Sequence, residues 1–524
     1  MKCIFNLSIF LFIFTVSAKG QNKTLDELNL KYLNWYNQDL ARDRFAGTSV
    51  NKAYEQILND SSQFGKTIIV AVIDGGVNIE HEDLKGRIWV NEDEIPGNNI
   101  DDDHNGYIDD IHGWNFIGNQ NGENIHYENF EYTRIIKKNN KHDPSYIRAK
   151  KIHHSELAKK QEEKQKINRF QIAYERAKSI IKSETGISVH SAGDLALITT
   201  NTVQVFEAKK FLQGRYAAGL TEEGLQKMIK SNEEFTKYFL NTDFEARNLV
   251  GDNPEDLDDK FYGNPDVIGP EPEHGTSVAG VIAAIRGNAI GIDGIASQVK
   301  IMAIRSTPAG DERDKDVALS IYYAVDNGAD IINMSFGKDF SPQKEFIDNA
   351  VKYAKEKGVL LIHASGNSGK NIDVEENYPN DRDLNGIEAS NWLEVGASSM
   401  YLNTEIAAFF SNYGAKHVDI FAPGVNIIST DISNTYSMSD GTSLAAPVVS
   451  GIAALLLSRY PDLKPEEVID ILLSSALTFT KPKKVLVPSE TRKKRKKTKF
   501  SALSKSGGIV NAYNALMEAE KRKK

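Results

Sequence analysis

Five stretches of the chain are continuous runs of apolar, largely β-branched residues that end in small or polar ones. They lie at residues 66–76, 300–306, 329–337, 358–367 and 392–398. Runs of this kind are typical of strands buried on both faces of a parallel sheet. Between them, apolar residues recur at helical spacing in residues 277–285, 316–328 and 343–358. The alternation predicts an α/β fold with a doubly wound, mostly parallel sheet.

A shift in composition interrupts this pattern after the first strand. Two long Lys/Glu-rich segments, residues 146–182 and 221–240, have a helical pattern instead. We therefore expect a helical insertion, residues 123–251, within one α/β domain. The domain itself would consist of residues 65–122 and 252–520.

The first residues have the composition of a secretory signal peptide. A single lysine precedes an apolar run that ends at Val16, and small residues follow up to Ala18. We expect residues 1–18 to be cleaved during export, so that the protein is secreted or periplasmic; an uncleaved anchor is the alternative. The only cysteine, Cys3, lies in this segment, so the mature chain would have no disulfide. Residues 19–64 are expected to form a polar arm with short helices.

Charge excludes one class of partner. The chain has 63 Lys and Arg against 72 Asp and Glu, a formal net charge of −9, which argues against a nucleic-acid-binding protein. We expect no membrane span after the signal segment, and a monomer. A strongly basic segment, residues 481–500, is either a solvated loop, a site for an acidic surface or a site of proteolytic cleavage.

Three short segments contain the parts of an activated nucleophile. Asp74 follows the first apolar strand in VIDGGV, His274 precedes a small-residue helix in EHGTSVAG, and Ser443 starts an apolar helix in SDGTSLAAPVV. A serine hydroxyl can attack a carbonyl when a histidine takes its proton and a buried aspartate orients that histidine. Each residue alone has an ordinary explanation as a turn residue or a helix cap. Their combination predicts nucleophilic catalysis by Asp74, His274 and Ser443.

These motifs resemble those of the subtilisin-like serine proteases, the subtilases, also in the order Asp, His, Ser. The matching stretches are VAVIDGGV, HGTSVAG, GTSLAAPVVSG and, at residues 363–369, HASGNSG. The resemblance implies a subtilisin-like fold and hydrolysis of peptide bonds through an acyl-enzyme. It further implies an oxyanion hole completed by Asn367 and a substrate-pairing strand at Ser335, Phe336 and Gly337.

Some positions depart from the family pattern. Gly75 stands where subtilases usually have Ser or Thr, and Lys338 where they often have a small residue in the pocket wall, which leaves the side-chain preference open.

Pro447 is expected in the first turns of its helix, where backbone N–H groups are unpaired in any case.

The sequence favours an exported serine endopeptidase acting on proteins or peptides. A peptide ligase that uses the same acyl-enzyme and a catalytically inactive binding protein of subtilase fold are the alternatives.

An acidic stretch, DDDHNGYIDD at residues 101–110, predicts a calcium site. Oxygen-bearing side chains alternate along it, and a glycine permits the sharp turn of a calcium loop. The expected ligands are Asp101, Asp103, Asn105, Tyr107 through its carbonyl, and Asp109. His112 stands where such loops usually have glutamate, so Asp110 or water would complete the shell. An acidic turn without metal is the alternative.

Overall fold

The chain, seen in a computed structural model, consists of two compact units. The structure describes residues 24–60, 64–199, 202–491 and 494–523. One unit is formed by the residues up to 126 together with those from 247 onward, and the other by residues 127–246. The predicted signal peptide, with Cys3, lies outside the described residues.

A seven-stranded parallel sheet forms the centre of the larger unit. Its strands are β1 (Ile68–Asp74), β2 (Gly113–Asn115), β3 (Val299–Arg305), β4 (Ile331–Met334), β5 (Leu360–Ala364), β6 (Trp392–Ser398) and β7 (Ile420–Pro423). Their order is β2-β3-β1-β4-β5-β6-β7, and all neighbours are parallel. The predicted α/β fold is confirmed, because these strands are buried on both faces as their apolar runs indicate.

The remaining described strands form two small antiparallel pairs, and the helices connect the sheet. The pairs are β8 (Ile427–Thr430) with β9 (Tyr436–Ser439), and β10 (Val485–Leu486) with β11 (Lys497–Thr498). The helices are α1 (Leu40–Asp43), α2 (Val50–Gln56), α3 (Glu131–Lys138), α4 (Tyr146–Thr185), α5 (Ala192–Ala196), α6 (Val203–Ala217), α7 (Glu222–Glu234), α8 (Glu273–Ala283), α9 (Asp314–Asp326), α10 (Lys344–Glu356), α11 (Thr442–Arg459), α12 (Pro465–Ser474) and α13 (Ala512–Lys523).

Helices cover both faces of the sheet. The buried helices α8 and α11 pack against each other as one layer, and α9 and α10 pack against each other as the second. Helix α11 is also the one described helix long and apolar enough to cross a membrane, but 83% of it is buried within the protein. Since β3 and β4 lie on opposite sides of β1, the chain changes direction across the sheet at this point. Ligand sites of such folds lie there, at the carboxyl ends of the strands.

The segment before β1 is packed into the larger unit. Trp35 and Tyr36 are fully buried in the main core, together with Val50 and Ala53 of α2. The indole of Trp35 donates a hydrogen bond to the carbonyl of Asn426 at 3.1 Å. The described part of the segment expected to be a polar arm therefore contributes apolar surface to the core.

The smaller unit is helical and has a core of its own. It contains α3 to α7, and a π-helical turn, Phe235–Phe239, extends α7. Tyr174 and Ile181 of α4 pack with Val205 and Leu212 of α6 in a separate buried cluster. The unit spans residues 127–246, within the interval 123–251 at which the sequence changes composition.

Candidate active site

Asp74 and His274, 200 positions apart in the sequence, are hydrogen-bonded in the structure. Asp74 ends β1, and only 2% of its surface is exposed. His274 lies in the first turn of α8, and its Nδ1 donates to the two carboxylate oxygens at 2.8 and 2.9 Å. Gly275 permits this approach, since a Cβ there would lie 2.1 Å from the carbonyl oxygen of Gly76. The contact places the proton on Nδ1 and leaves Nε2 of the half-exposed ring as the acceptor.

The carboxylate of Asp74 changes the basicity of His274. Desolvation lowers the pKa of the ring, whereas the charge of Asp74 and its hydrogen bond raise it. The outcome is a pKa above the usual value of 6.5. His274 is therefore poised to take up a proton when a nearby hydroxyl attacks.

Ser443 is the single residue from Thr442 to Ser458 in α11 that is not buried. Gly441 is the N-cap of this helix, so the N–H of Ser443 belongs to the first turn and has no acceptor within the helix. A hydroxyl and an N–H group that can bind an anion thus coincide in one residue at the positive end of a core helix.

Pro447 differs from the expectation that its N–H would be unpaired in any case. It stands inside α11, where an N–H would bond to the carbonyl four residues earlier, that of Ser443. Because proline has no N–H, this carbonyl accepts a hydrogen bond from the hydroxyl of Ser335 instead, at 2.8 Å. The proline therefore allows the end of β4 to be joined to the first turn of α11.

Asn367, in the loop after β5, is oriented toward Ser443 by Thr442. The N–H and hydroxyl of Thr442 donate to Oδ1 of Asn367 at 2.9 and 3.0 Å, so that Nδ2 remains as a donor. This Nδ2 lies 3.8 Å, and the hydroxyl of Ser443 2.7 Å, from the position of a Cβ on Gly441. The missing side chain of Gly441 therefore leaves a space between the two groups. Sequence analysis missed the role of Thr442, although it stands in the GTS motif.

The backbone N–H and C=O groups of the segment after β4 face two different sides. The carbonyl of Phe336 accepts from the buried His363, and Lys338 pairs with Tyr378 through both its N–H and its C=O. In an extended strand the backbone N–H and C=O groups of successive residues point to opposite sides. Those of Ser335 and Gly337 consequently point away from these partners. Gly337 is exposed, whereas Ser335 is buried and Phe336 is half-buried.

The structure gives a physical account of the two departures at Gly75 and Lys338. A Cβ on Gly75 would lie 3.0 Å from the carbonyl oxygen of Thr307 and 3.7 Å from its hydroxyl, so Thr307 occupies this neighbourhood. The ammonium of Lys338 is buried and binds a carboxylate oxygen of Asp314 and the carbonyl of Glu312, both at 2.8 Å. The charge of Lys338 is thus compensated inside the protein.

A candidate metal centre lies in the acidic stretch. Glu94, Asp103 and Asp110 each place a carboxylate oxygen within 4.8 Å of the others. The side-chain amide of Asn91 donates to Asp103 and Asp110 at 2.9 and 3.0 Å. Burial raises the pKa of Asp110 to about 6. Three carboxylates gathered in a largely buried place fit a hard divalent cation, which would offset their mutual repulsion.

Of the five predicted calcium ligands, the structure places Asp103 in this group of carboxylates and gives the others different contacts. Asp103 belongs to the group just described, and the amide of Asn105 donates to Asp103 at 2.9 Å. The carboxylates of Asp101 and Asp109 accept backbone N–H groups, those of residues 105–106 and 97–99, respectively. Tyr107 is buried, and its ring packs on Trp114 and Tyr323. Glu94 was missed because it lies outside the loop motif.

Comparison with known proteins agrees with this geometry. The chain matches the Subtilase family over residues 65–507, and it belongs to that family. It is 39% identical over 211 residues to a thermophilic serine proteinase of Bacillus sp. (strain AK1), covering 39% of this chain and 49% of that protein. It is 37% identical over 205 residues to subtilisin DY of Bacillus licheniformis, covering 39% of this chain and 70% of that protein. A protease structure from Pseudoalteromonas arctica PAMC 21717 is 26% identical, with a TM-score of 0.40, over 51% of this chain and 82% of that chain.

Proposed function

We propose that this protein is an exported serine endopeptidase whose triad is Asp74, His274 and Ser443. The observation that carries the proposal is the paired contact between His274 Nδ1 and the buried carboxylate of Asp74. Two further findings support it: α8 packs against α11, which bears the one unburied serine of its core region, and Asn367 is oriented beside that serine. Membership of the Subtilase family agrees with this chemistry.

Each step of the reaction uses a group with a defined place. The Ser443 hydroxyl attacks the carbonyl carbon of the scissile bond, and its proton passes to Nε2 of His274. Asp74 stabilises the resulting imidazolium, while Asn367 Nδ2 and the N–H of Ser443 bind the oxyanion. The C–N bond then breaks, and His274 gives its proton to the leaving amine. Water, deprotonated by His274, releases the acid from the acyl-enzyme and restores Ser443.

The substrate would bind as an extended peptide. The outward-facing backbone of Ser335 and Gly337 offers hydrogen-bonding groups to a strand laid beside it, which is recognition by strand addition. Because this mode reads the main chain, it suits internal segments of proteins and peptides. The side-chain preference at the cleavage site is open, and a cleavage profile on a peptide library would define it.

A single labelling experiment tests the proposal. A fluorophosphonate probe should modify Ser443 of the intact protein, and pretreatment should abolish hydrolysis of a casein-like substrate. Unlabelled Ser443 would favour the inactive binding protein instead. Products joined to an added amine acceptor, in place of free acids, would favour the peptide ligase.

Activity should rise with pH along one acid limb whose midpoint lies above 6.5. His274 must be neutral to accept the proton, and Asp74 raises its pKa above this value, so activity is lost below the raised pKa and present above it. The measurement is kcat/KM against pH, together with titration of His274 in Ser443→Ala protein. Adding Asp74→Asn there should lower the pKa of His274; a midpoint at or below 6.5 in the wild type would contradict the assignment.

We propose further that calcium stabilises the larger unit through Glu94, Asp103 and Asp110. The cation would supply no step of the hydrolysis, since its part is to neutralise the carboxylates. Calcium that binds only the folded state stabilises it by about 2.7 kcal/mol at a hundredfold excess over the dissociation constant. A chelator should therefore lower the Tm of the wild type by a few degrees.

Asp109 and Asp110 are neighbours in the sequence and provide a matched pair for this test. Asp110→Asn should abolish the effect of chelator on Tm, as should Asp103→Ala, because each removes an oxygen of the group. Asp109→Asn should keep the effect, since Asp109 does not belong to this group of carboxylates. A wild-type Tm that does not change with chelator would exclude a structural metal here.

Export is proposed from the apolar segment that ends at Val16. A signal peptide of residues 1–18 would direct the chain out of the cytoplasm. N-terminal sequencing of the protein recovered outside the cytoplasm tests this, and a start at or shortly after residue 19 is expected.

A further inference from the structure

His363 of β5 is fully buried and makes two kinds of hydrogen bond. Its Nδ1 lies 2.9 and 3.0 Å from the two carboxylate oxygens of Glu394, and its Nε2 lies 2.8 Å from the carbonyl oxygen of Phe336. His363 and Glu394 are register partners on β5 and β6, so their side chains project from the same face of the sheet. The indole of Trp392 donates to Glu394 at 2.9 Å and fixes the carboxylate in turn.

The partners of His363 define which ring nitrogen donates to the segment after β4. A carbonyl oxygen can only accept, so Nε2 must donate to Phe336, and Nδ1 shares a proton with the carboxylate of Glu394. With that proton on Nδ1, His363 is an imidazolium that forms a buried ion pair with Glu394. Its pKa agrees, because desolvation lowers it but Glu394 and the carbonyl of Phe336 raise it above the usual value. Such a pair is a charge-assisted donor held rigidly behind the segment after β4.

We propose that His363, held by Glu394, is a positioning residue that sets the backbone of Ser335 and Gly337 for pairing with an extended peptide. Its bond to the carbonyl of Phe336 fixes one peptide group of the segment facing inward. Because successive residues of an extended strand face opposite sides, a bond that holds the carbonyl of Phe336 inward directs the backbone groups of its neighbours Ser335 and Gly337 toward the substrate. This inference rests on the proposed peptidase function and adds a residue that does not touch the reacting atoms.

Two variants that differ only at position 363 test the donor. His363→Leu with Glu394→Gln removes the donor without leaving a buried carboxylate unpaired, and the glutamine can still accept from Trp392. His363→Gln with Glu394→Gln restores an N–H donor in a side chain of similar size. The assay compares a long peptide, which extends several residues before the scissile bond, with a short acyl amino-acid ester that does not reach Gly337.

The leucine variant should raise KM for the long peptide by about tenfold, the value of one peptide hydrogen bond lost when the backbone of Ser335 and Gly337 is no longer fixed, and leave the short ester within about twofold. The glutamine variant should recover most of that loss. As a control, His81→Gln changes another fully buried histidine, whose Nε2 lies 3.1 Å from the carbonyl of Thr435. It should leave the ratio between the two substrates unchanged.

The outcomes separate this inference from the proposed function. Equal losses on both substrates, or a glutamine variant no better than the leucine variant, would overturn the positioning role alone. A wild type that cleaves neither substrate would overturn the peptidase function and this role with it. Should the leucine variant not fold, NMR of isotope-labelled histidine in the wild type decides: a protected Nε2–H proton on His363 supports the proposal, and an unprotonated Nε2 refutes it.

Discussion

Replacing Ser443 by alanine is expected to abolish peptide hydrolysis and leave the fold intact. The residue is the partly exposed member of the buried core region of α11, so its hydroxyl contributes little to packing, and the proposed mechanism makes it the nucleophile. The expected loss in kcat is about 10⁶-fold, the size known for the nucleophile of subtilisin. The measurement is hydrolysis of a long peptide under single-turnover conditions, with the Tm measured alongside.

The control for this prediction lies on the same helix. Ser458→Ala makes the same chemical change at the opposite end of α11, where the hydroxyl donates to the carbonyl of Lys66. It should lower stability slightly and leave kcat close to that of the wild type. Activity of Ser443→Ala within tenfold of the wild type would rule out the nucleophile assigned here, whatever the control shows.

Replacing Asn367 by alanine is expected to lower kcat by about 10²–10³-fold with little change in KM. The Nδ2 donor can bind the oxygen more strongly once that oxygen becomes an oxyanion, so its loss affects the transition state more than substrate binding. Thr442→Val tests the orientation separately. It removes the hydroxyl, which donates to Asn367 and accepts from the N–H of Gly366, but keeps the backbone bond to Asn367, and should therefore cost much less than Asn367→Ala.

Asn391→Ala is the control for Asn367→Ala, because it removes a buried side-chain amide elsewhere in the protein. Asn391 is fully buried, and its Nδ2 donates to the carbonyl of Val359 at 3.0 Å. Asn391→Ala should lower Tm without a selective effect on kcat. If Asn367→Ala raises KM and leaves kcat unchanged, Asn367 binds the substrate in its ground state and is not part of an oxyanion hole.

Short-range patterns were sufficient to predict the sheet and the residues of the proposed triad. A buried parallel strand needs an apolar run, and that run at 66–76 corresponds to β1 with Asp74 at its end. Helices α8 and α11 likewise begin where small residues precede an apolar stretch, next to His274 and Ser443. Position relative to an element is encoded by neighbours in the sequence, which is why these residues could be named without a structure.

Other features depended on contacts between distant segments. Residues 19–64 look polar as a whole, but Trp35 and Tyr36 are buried because the rest of the core supplies partners for them. The calcium prediction followed the spacing of one loop, whereas the structure gathers Asp103 with Glu94 and Asp110. Spacing within a loop determines which of its side chains can point inward, but Glu94, which lies outside the loop, joins the group only when the chain has folded.

The sequence by itself determined the fold class and the family, and it was enough to propose Asp74, His274 and Ser443 as the triad, because apolar runs and short motifs are local properties. Only the tertiary structure decided how the groups around them act. The pairing of β5 with β6 brings His363 to Glu394, and the packing of β4 against α11 brings Ser335 to the carbonyl that Pro447 leaves unpaired. The physical reason is that a hydrogen bond needs two groups within about 3 Å, and for residues far apart in sequence only the packed sheet and helices set that distance.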